Sequence, residues 1–155
     1  MKPTVYVETT IISYLAARPS RDRVSSSLQL LTRAWWSENR ARYRLCIAEP
    51  VATEAARGDP VAATARARLI AEFEHLPTIP ETDSLARRLV QALRLPRRAE
   101  LDAVHVAVAT VHGVDYLLTW NCKHLAHPAR VQTIESVCRA AGYRPPLICT
   151  PHQLM

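Results

Sequence analysis

The chain has 155 residues, of which 48% are hydrophobic and 22% are charged. This balance fits one globular domain over residues 1–155 with a sizeable core, and it disfavours intrinsic disorder. Only three residues are glycine, and neither a GxGxxG nor a Walker-type phosphate loop occurs. The usual sequence signals for dinucleotide or nucleoside triphosphate binding are therefore missing.

The balance of charge favours polyanionic partners. Twenty basic residues against 14 acidic residues give a formal charge of +6 at pH 7. Such a field attracts nucleic acid, although arginines on solvated helix faces give the same total. The four cysteines lack paired zinc spacing, and the first apolar run is interrupted by Glu8, unlike a secretory leader. We expect a cytoplasmic protein with reduced thiols and no membrane span.

Short strands and helices alternate through the first half of the chain. Residues 3–8 predict a strand, and Thr9 and Thr10 predict the cap of the following helix. A helix over about 20–39 carries an apolar stripe that we expect to face inward. Its members are Val24, Leu28, Leu31 and Trp35. The next predicted elements are a strand over 44–48 and helices over 49–58 and 59–73.

The second half repeats this alternation. A connection or short strand over 75–80 precedes a helix over 83–93, and the following elements are a helix over 100–112, a strand over 115–119, a loop or short helix over 120–125, a helix over 129–141 and a strand over 147–149. Alternation of this kind predicts an α/β fold. We expect a three-layer α/β/α sandwich with a short, mostly parallel sheet.

Three acidic residues stand in apolar surroundings near the ends of predicted elements. Glu8 ends the first strand, Glu54 lies in the helix after the second strand, and Asp102 lies in the first turn of its helix. Each alone is more typical of a salt bridge or a cap. Ligands of such sheets bind at the carboxyl ends of the strands, so we expect the three to converge there. Asp115, at the opposite end of its strand, is excluded.

Two neutral side chains, Thr119 and Asn121, follow the carboxyl end of another strand. Three clustered carboxylates repel by roughly 3 kcal/mol per pair at about 5 Å and an effective dielectric near 20, so a cation must compensate. Mg²⁺ or Mn²⁺ prefers such oxygen ligands. We expect Glu8, Glu54, Asp102 and Asn121 to bind the metal, with Thr119 orienting the ligands. This site predicts metal-assisted hydrolysis of a phosphodiester.

Three stretches of the chain resemble the PIN-domain family, and especially the VapC-like toxins of type II toxin–antitoxin pairs. They are Val5–Leu15, Ala48–Gly58, and Leu101–Ala109 continuing into Tyr116–Leu125. The resemblance implies a Rossmann-like sandwich and a Mg²⁺ or Mn²⁺ ribonuclease site with acids at Glu8, Glu54 and Asp102. It further implies a homodimer and inhibition by an antitoxin protein.

The chain departs from the family pattern at two site residues. Glu8 stands where the family most often has Asp, which adds one methylene and shifts the metal or the helix entry. Asn121 stands where many members have a fourth Asp, so it contributes an oxygen without a charge. We expect weaker metal binding in the absence of RNA.

Other polar residues near these motifs have two interpretations. Thr9, Thr10 and Ser13 are typical of helix caps, and they also suit contacts to a ligand. Lys123 and His124 suit either RNA phosphate or a local turn, and Arg97 and Arg98 suit either RNA or a solvated surface. A zinc site at Cys122, His124 and His127 lacks a second ligand pair. We assign no catalytic role to His105 or His112, and we interpret Trp35, Trp36 and Trp120 as core or interface anchors.

The leading hypothesis is a metal-dependent endoribonuclease that forms the toxin half of a toxin–antitoxin pair. The alternative is a catalytically silent PIN-like domain that binds RNA or a partner, which the departures at Glu8 and Asn121 motivate. A phospho-acceptor signalling domain also clusters acids beside a parallel sheet, but Lys123 lies in the wrong context for it.

Overall fold

The computed structural model describes all residues, Met1–Met155. It contains five strands, β1 Thr4–Val7, β2 Arg44–Ala48, β3 Glu74–Leu76, β4 Tyr116–Leu118 and β5 Leu147–Cys149. Its seven helices are α1 Thr9–Ala16, α2 Arg23–Asn39, α3 Glu49–Ala55, α4 Pro60–Ile70, α5 Pro80–Leu93, α6 Glu100–Val111 and α7 Pro128–Ala140. Short 3₁₀ turns at Arg40–Arg42 and Arg97–Ala99 precede β2 and α6.

The five strands form one parallel sheet in the order β3-β2-β1-β4-β5. The chain moves outward from β1 to β3 and then returns to the other side of β1. Strands β1 and β4 are therefore neighbours at the point where the strand order reverses, with Val7 opposite Leu118. Ligands of open parallel sheets bind at the carboxyl ends of such a pair.

The helices form two groups around the sheet. Helix α1 packs against α2 and α4, whereas α5 packs against α6 and α7. The apolar residues of β1 and β4 are buried, as expected for strands covered on both faces: Val5, Tyr6, Val7, Leu117 and Leu118. The predicted α/β sandwich is confirmed, and its sheet is entirely parallel. None of the helices combines the length and apolar character needed to cross a bilayer.

The buried face of helix α2 differs from the predicted apolar stripe. Trp35 is buried as expected, but Val24 is 69% exposed. The buried face instead includes Gln29, whose side-chain oxygen accepts from the Ser20 backbone N–H at 2.7 Å and whose amide donates to the Arg18 carbonyl at 3.0 Å. Hydrogen bonding satisfies this buried amide, so a polar residue outside the predicted stripe can occupy the buried face of the helix.

Trp120 anchors the segment after β4 to two helices, in agreement with its predicted role as an anchor. Its indole N–H donates to the Thr32 hydroxyl of α2 at 2.7 Å, and its backbone N–H donates to the Thr10 hydroxyl of α1 at 2.9 Å. These bonds attach the segment after β4 to both helices. The residues following Thr119 thereby take a defined position at the carboxyl edge of the sheet.

Candidate acidic site at the carboxyl edge of the sheet

Glu8 joins β1 to α1 and is almost completely buried. Its Oε2 atom accepts from the Thr10 backbone N–H at 3.1 Å, from the Thr10 hydroxyl at 2.5 Å and from the Thr119 hydroxyl at 2.7 Å. The predicted threonine cap is therefore wrong, because the Glu8 carboxylate caps α1. The longer side chain folds back on its own helix, which leaves Oε1 as the oxygen without a hydrogen bond.

Thr119 connects the carboxyl ends of β4 and β1. Its buried hydroxyl donates to Glu8 and accepts from the Asn121 backbone N–H at 2.9 Å. The predicted contact between Thr119 and a carboxylate is thus present. The hydroxyl also determines the path of the backbone into the 120–126 loop.

Asp102 is the second acid at this edge. It is the third residue of α6 and half-buried, and burial raises the pKa of its carboxyl. His105 and the side chain of Asn121 lower that pKa, whereas the charge of Glu8 raises it. Burial likewise raises the pKa of Glu8, against hydrogen bonds from Thr10 and Thr119 that lower it. Glu8 is therefore close enough to Asp102 for its charge to disfavour ionisation of that carboxyl.

Asn121 lies near Asp102 at the start of the loop after β4. Its side-chain oxygen accepts from the His124 backbone N–H at 3.0 Å and closes the loop. The side chain also lies close enough to Asp102 to lower the pKa of that carboxyl. In this structure the Asn121 side-chain oxygen is therefore engaged by the backbone of its own loop.

Glu54 is not brought to the acidic pair. Its side chain, at the end of α3, is 65% exposed and contacts Arg57 at 3.6 Å. No group of three His, Cys, Asp or Glu side chains is arranged to hold a metal ion. Of the residues that the sequence predicts for the site, the structure brings together Glu8, Asp102, Thr119 and Asn121.

His105, which has no predicted role, is buried beside Glu8 and follows Asp102 by three residues in α6. Its Nδ1 lies 2.6 Å from the Tyr6 hydroxyl, and its Nε2 lies 3.2 Å from the Thr9 hydroxyl and 3.9 Å from Glu8 Oε1. Burial lowers its pKa to about 4, against the charge of Asp102, so the ring is neutral at pH 7. Side-chain spacing is the signal that locates it: His105 follows Asp102 by three residues on a helix, and Tyr6 precedes Glu8 by two on an extended segment.

The acidic pair has no cationic partner. Neither Glu8 nor Asp102 forms an ion pair with a lysine or an arginine. Two adjacent carboxylates of this kind are suited to a hard divalent cation, with Glu8 Oε1 and the Asp102 carboxylate as oxygen ligands. The residues present therefore fit Mg²⁺ or Mn²⁺ as a two-carboxylate site, which Glu54 does not complete in its present position.

Two exposed arginines lie near the acidic site, whereas the fourth acid considered in the sequence, Asp115, lies away from it. Arg97 and Arg98, in the turn that leads into α6, are exposed and free of ion pairs. Asp115 lies at the opposite edge of the sheet, where it accepts from Thr4 at 2.8 Å and contacts Arg144 at 3.2 Å. Its predicted exclusion from the acidic site is confirmed.

Comparison with known families and with curated proteins finds no match to this chain. A parallel α/β fold supports many unrelated activities, so the fold does not define the function. A functional assignment therefore depends on the chemistry of the acidic edge and on the resemblance of its motifs.

Proposed function

We propose that the protein is a metal-dependent endoribonuclease whose site is the acidic pair Glu8 and Asp102. The observation that carries this proposal is the pair itself: the buried Glu8 carboxylate at the carboxyl end of β1 and the half-buried Asp102 carboxylate in the first turn of α6, neither with a basic partner. Nearby carboxylates without a countercharge raise each other's pKa, and a divalent cation removes that cost. The basic composition of the chain suits an RNA substrate.

Each residue of the site has a distinct role in this proposal. Glu8 and Asp102 hold Mg²⁺ or Mn²⁺, which supplies Lewis-acid stabilisation of phosphate charge and activates water. Thr119 fixes the Glu8 carboxylate through Oε2, and the Asn121 side chain lies near Asp102 and lowers the pKa of its carboxyl. Glu54 is the predicted third ligand, and its exposed contact with Arg57 is weak enough for the side chain to turn toward a bound cation.

The alternative is a catalytically silent domain that binds RNA or a partner. The position of Glu54 favours it, because a site with two acids binds a cation less strongly than a site with three. A chelation experiment separates the two functions. We expect purified protein to cleave a labelled RNA with Mg²⁺ or Mn²⁺, to stop with EDTA and to recover when Mn²⁺ is added. Binding of RNA without cleavage under every metal condition would establish the silent domain.

Asp102→Asn tests the assignment of the site. It keeps the shape of the side chain and removes its charge, and we expect cleavage to fall by about 100-fold or more, since a metal supplies several kcal/mol of transition-state stabilisation. The matched control is Glu100→Gln, an exposed acid on the same helix. Full activity of Asp102→Asn, or an equal loss in Glu100→Gln, would contradict the assignment.

The toxin role, the homodimer and the antitoxin partner are proposals that rest on the family resemblance. We expect expression of the wild-type chain to arrest bacterial growth, whereas Asp102→Asn should be tolerated. Coexpression of a small neighbouring gene that encodes a DNA-binding fold with an extended tail should restore growth. Equal growth with the wild-type and Asp102→Asn chains would argue against toxicity by this site.

A further inference from the structure

A chain of hydrogen bonds runs from the end of β2 through β1 and α6 to α1. The Ala48 backbone N–H, at the end of β2 and directly before α3, lies 3.3 Å from the Tyr6 hydroxyl and donates to it. The Tyr6 hydroxyl lies 2.6 Å from Nδ1 of His105 in α6, whose Nε2 lies 3.2 Å from the Thr9 hydroxyl in α1. We call this chain of contacts, from Ala48 through Tyr6 and His105 to Thr9, the relay.

The direction of each hydrogen bond follows from the donors available. Since the Tyr6 oxygen accepts from Ala48, its own proton needs an acceptor, and His105 Nδ1 is the one within reach. The other tautomer, with the proton on Nδ1, would leave the fully buried Tyr6 O–H unpaired. With Nδ1 as the acceptor, the ring carries its proton on Nε2 and donates it to the Thr9 oxygen.

The Thr9 hydroxyl, at the edge of the site, remains free to donate. Because its oxygen accepts from His105, its own O–H proton stays available for another group. Thr9 is half-buried in the first turn of α1, directly after Glu8, and no protein acceptor takes that proton. A phosphate oxygen beside the acidic pair is the acceptor that the proposed reaction supplies.

We propose that Tyr6 and His105 are positioning residues that act through Thr9: they hold its hydroxyl oxygen so that its O–H donates to a phosphate oxygen of the RNA. This inference rests on the proposed nuclease function. The same Nε2 of His105 lies 3.9 Å from Glu8 Oε1, so the relay ends at the edge of the acidic site. The relay also explains why a histidine is buried in an otherwise apolar face of α6.

The tautomer is the first measurement and does not depend on activity. Two-bond ¹H–¹⁵N spectra of the histidine rings at pH 7 should show His105 protonated on Nε2 and bare on Nδ1. His105→Gln assigns the signal by removing it. Tyr6→Phe, which deletes only the hydroxyl, should shift Nδ1 away from the hydrogen-bonded value, whereas Tyr116→Phe is the matched control on the neighbouring strand. A ring protonated on Nδ1, or a charged ring, would overturn the relay.

Steady-state cleavage of RNA with Mn²⁺ is the second measurement. We expect Tyr6→Phe and His105→Leu to lower kcat by about 10-fold to 100-fold with little change in KM, which is the scale for partners that orient a site. His105→Gln keeps a donor and should recover most of kcat. Because His105 acts through Thr9, the His105→Leu and Thr9→Val double variant should be no worse than Thr9→Val alone.

Several outcomes separate this inference from the proposed function. Additive losses in the double variant, or full kcat in Tyr6→Phe, would overturn the positioning role while the nuclease stands. Thermal unfolding of every variant excludes a folding defect as the cause of a lost kcat, and Tyr6→Phe carries the test if His105→Leu does not fold. A wild-type chain that cleaves no RNA with any metal would overturn both proposals, even with the expected tautomer.

Discussion

The Thr119 hydroxyl donates to the Glu8 carboxylate across 2.7 Å, although the residues lie 111 positions apart in the chain. This bond joins the carboxyl ends of β1 and β4 and is completely buried. Thr10 supplies two further donors to the same oxygen, so one carboxylate oxygen is saturated by the protein. The arrangement leaves Glu8 one unbonded oxygen, and we expect it to bind a cation through that atom alone.

Thr119→Val should destabilise the protein and lower its activity. Valine has nearly the shape of threonine but neither donates to Glu8 nor accepts from the Asn121 N–H. We expect a loss of about 1–3 kcal/mol in the free energy of unfolding, the usual cost of leaving buried polar groups unpaired. Chemical denaturation measures this loss, and Thr119→Ser, which keeps the hydroxyl, is the matched control. Wild-type stability in Thr119→Val would show that the bond contributes nothing.

The pH dependence of stability should reveal the burial of Glu8. Burial raises the pKa of Glu8, so the folded chain holds this proton more tightly than the unfolded chain. The resulting stabilisation is complete below the ordinary pKa of about 4.3 and is lost as the pH rises through the folded-state pKa. We therefore expect Glu8→Gln to gain stability relative to wild type as the pH rises above about 4.3. Denaturation at several pH values measures the difference.

Mn²⁺ provides the control for this pH experiment. A cation bound at the carboxylates favours their ionised forms, so Mn²⁺ should restore stability to wild type at pH 7 and not to Glu8→Gln. At a free concentration about 100 times Kd, a single site adds about 2.7 kcal/mol to the free energy of unfolding. A difference between wild type and Glu8→Gln that is constant with pH, or equal effects of Mn²⁺ on both, would contradict the prediction.

Features that local sequence determines could be predicted, whereas features that depend on tertiary contacts could not. The strand at 44–48 and the helix of Asp102 follow from local periodicity, and both agree with the structure. The convergence of Glu8 and Asp102 follows from the rule for parallel sheets. The cap of α1 could not be predicted in this way, because the Glu8 side chain that folds back on Thr10 also accepts a tertiary hydrogen bond from Thr119. The outward position of Glu54 is equally a tertiary outcome, since helix position alone allows both orientations.

Arg97 and Arg98 should contribute to RNA affinity without affecting chemistry. They are exposed in the turn before α6, and Asp102 follows within the first turn of that helix. For single-stranded RNA, each phosphate that a basic side chain neutralises adds roughly 0.7 to the salt dependence of binding, so replacing both arginines with glutamine should reduce the slope by about 1.4. RNA binding by the Asp102→Asn background at several salt concentrations measures the slope.

The matched control for these arginines is Arg144→Gln. Arg144 contacts Asp115 at the opposite edge of the sheet, so its replacement removes one positive charge far from the acidic pair. We expect it to leave the slope unchanged, and we expect kcat of the double glutamine variant to remain near wild type at saturating RNA. Equal slopes for all variants would place the RNA elsewhere on the surface.

Glu54→Gln decides whether the third acid takes part in metal binding. The side chain is exposed and contacts only Arg57 in an ion pair, so we expect the free energy of unfolding to change by less than about 0.5 kcal/mol. If Glu54 turns toward a bound cation, the variant should lose about 10-fold in Mn²⁺ affinity, the scale of a partner that supports a metal site. Glu49→Gln, an exposed acid on the same helix, is the matched control, and Arg57→Gln should not weaken binding because it frees Glu54. Calorimetric titration with Mn²⁺ measures all four chains. Wild-type affinity in Glu54→Gln would limit the site to Glu8 and Asp102, because a ligand that turns inward on binding must contribute to the measured constant.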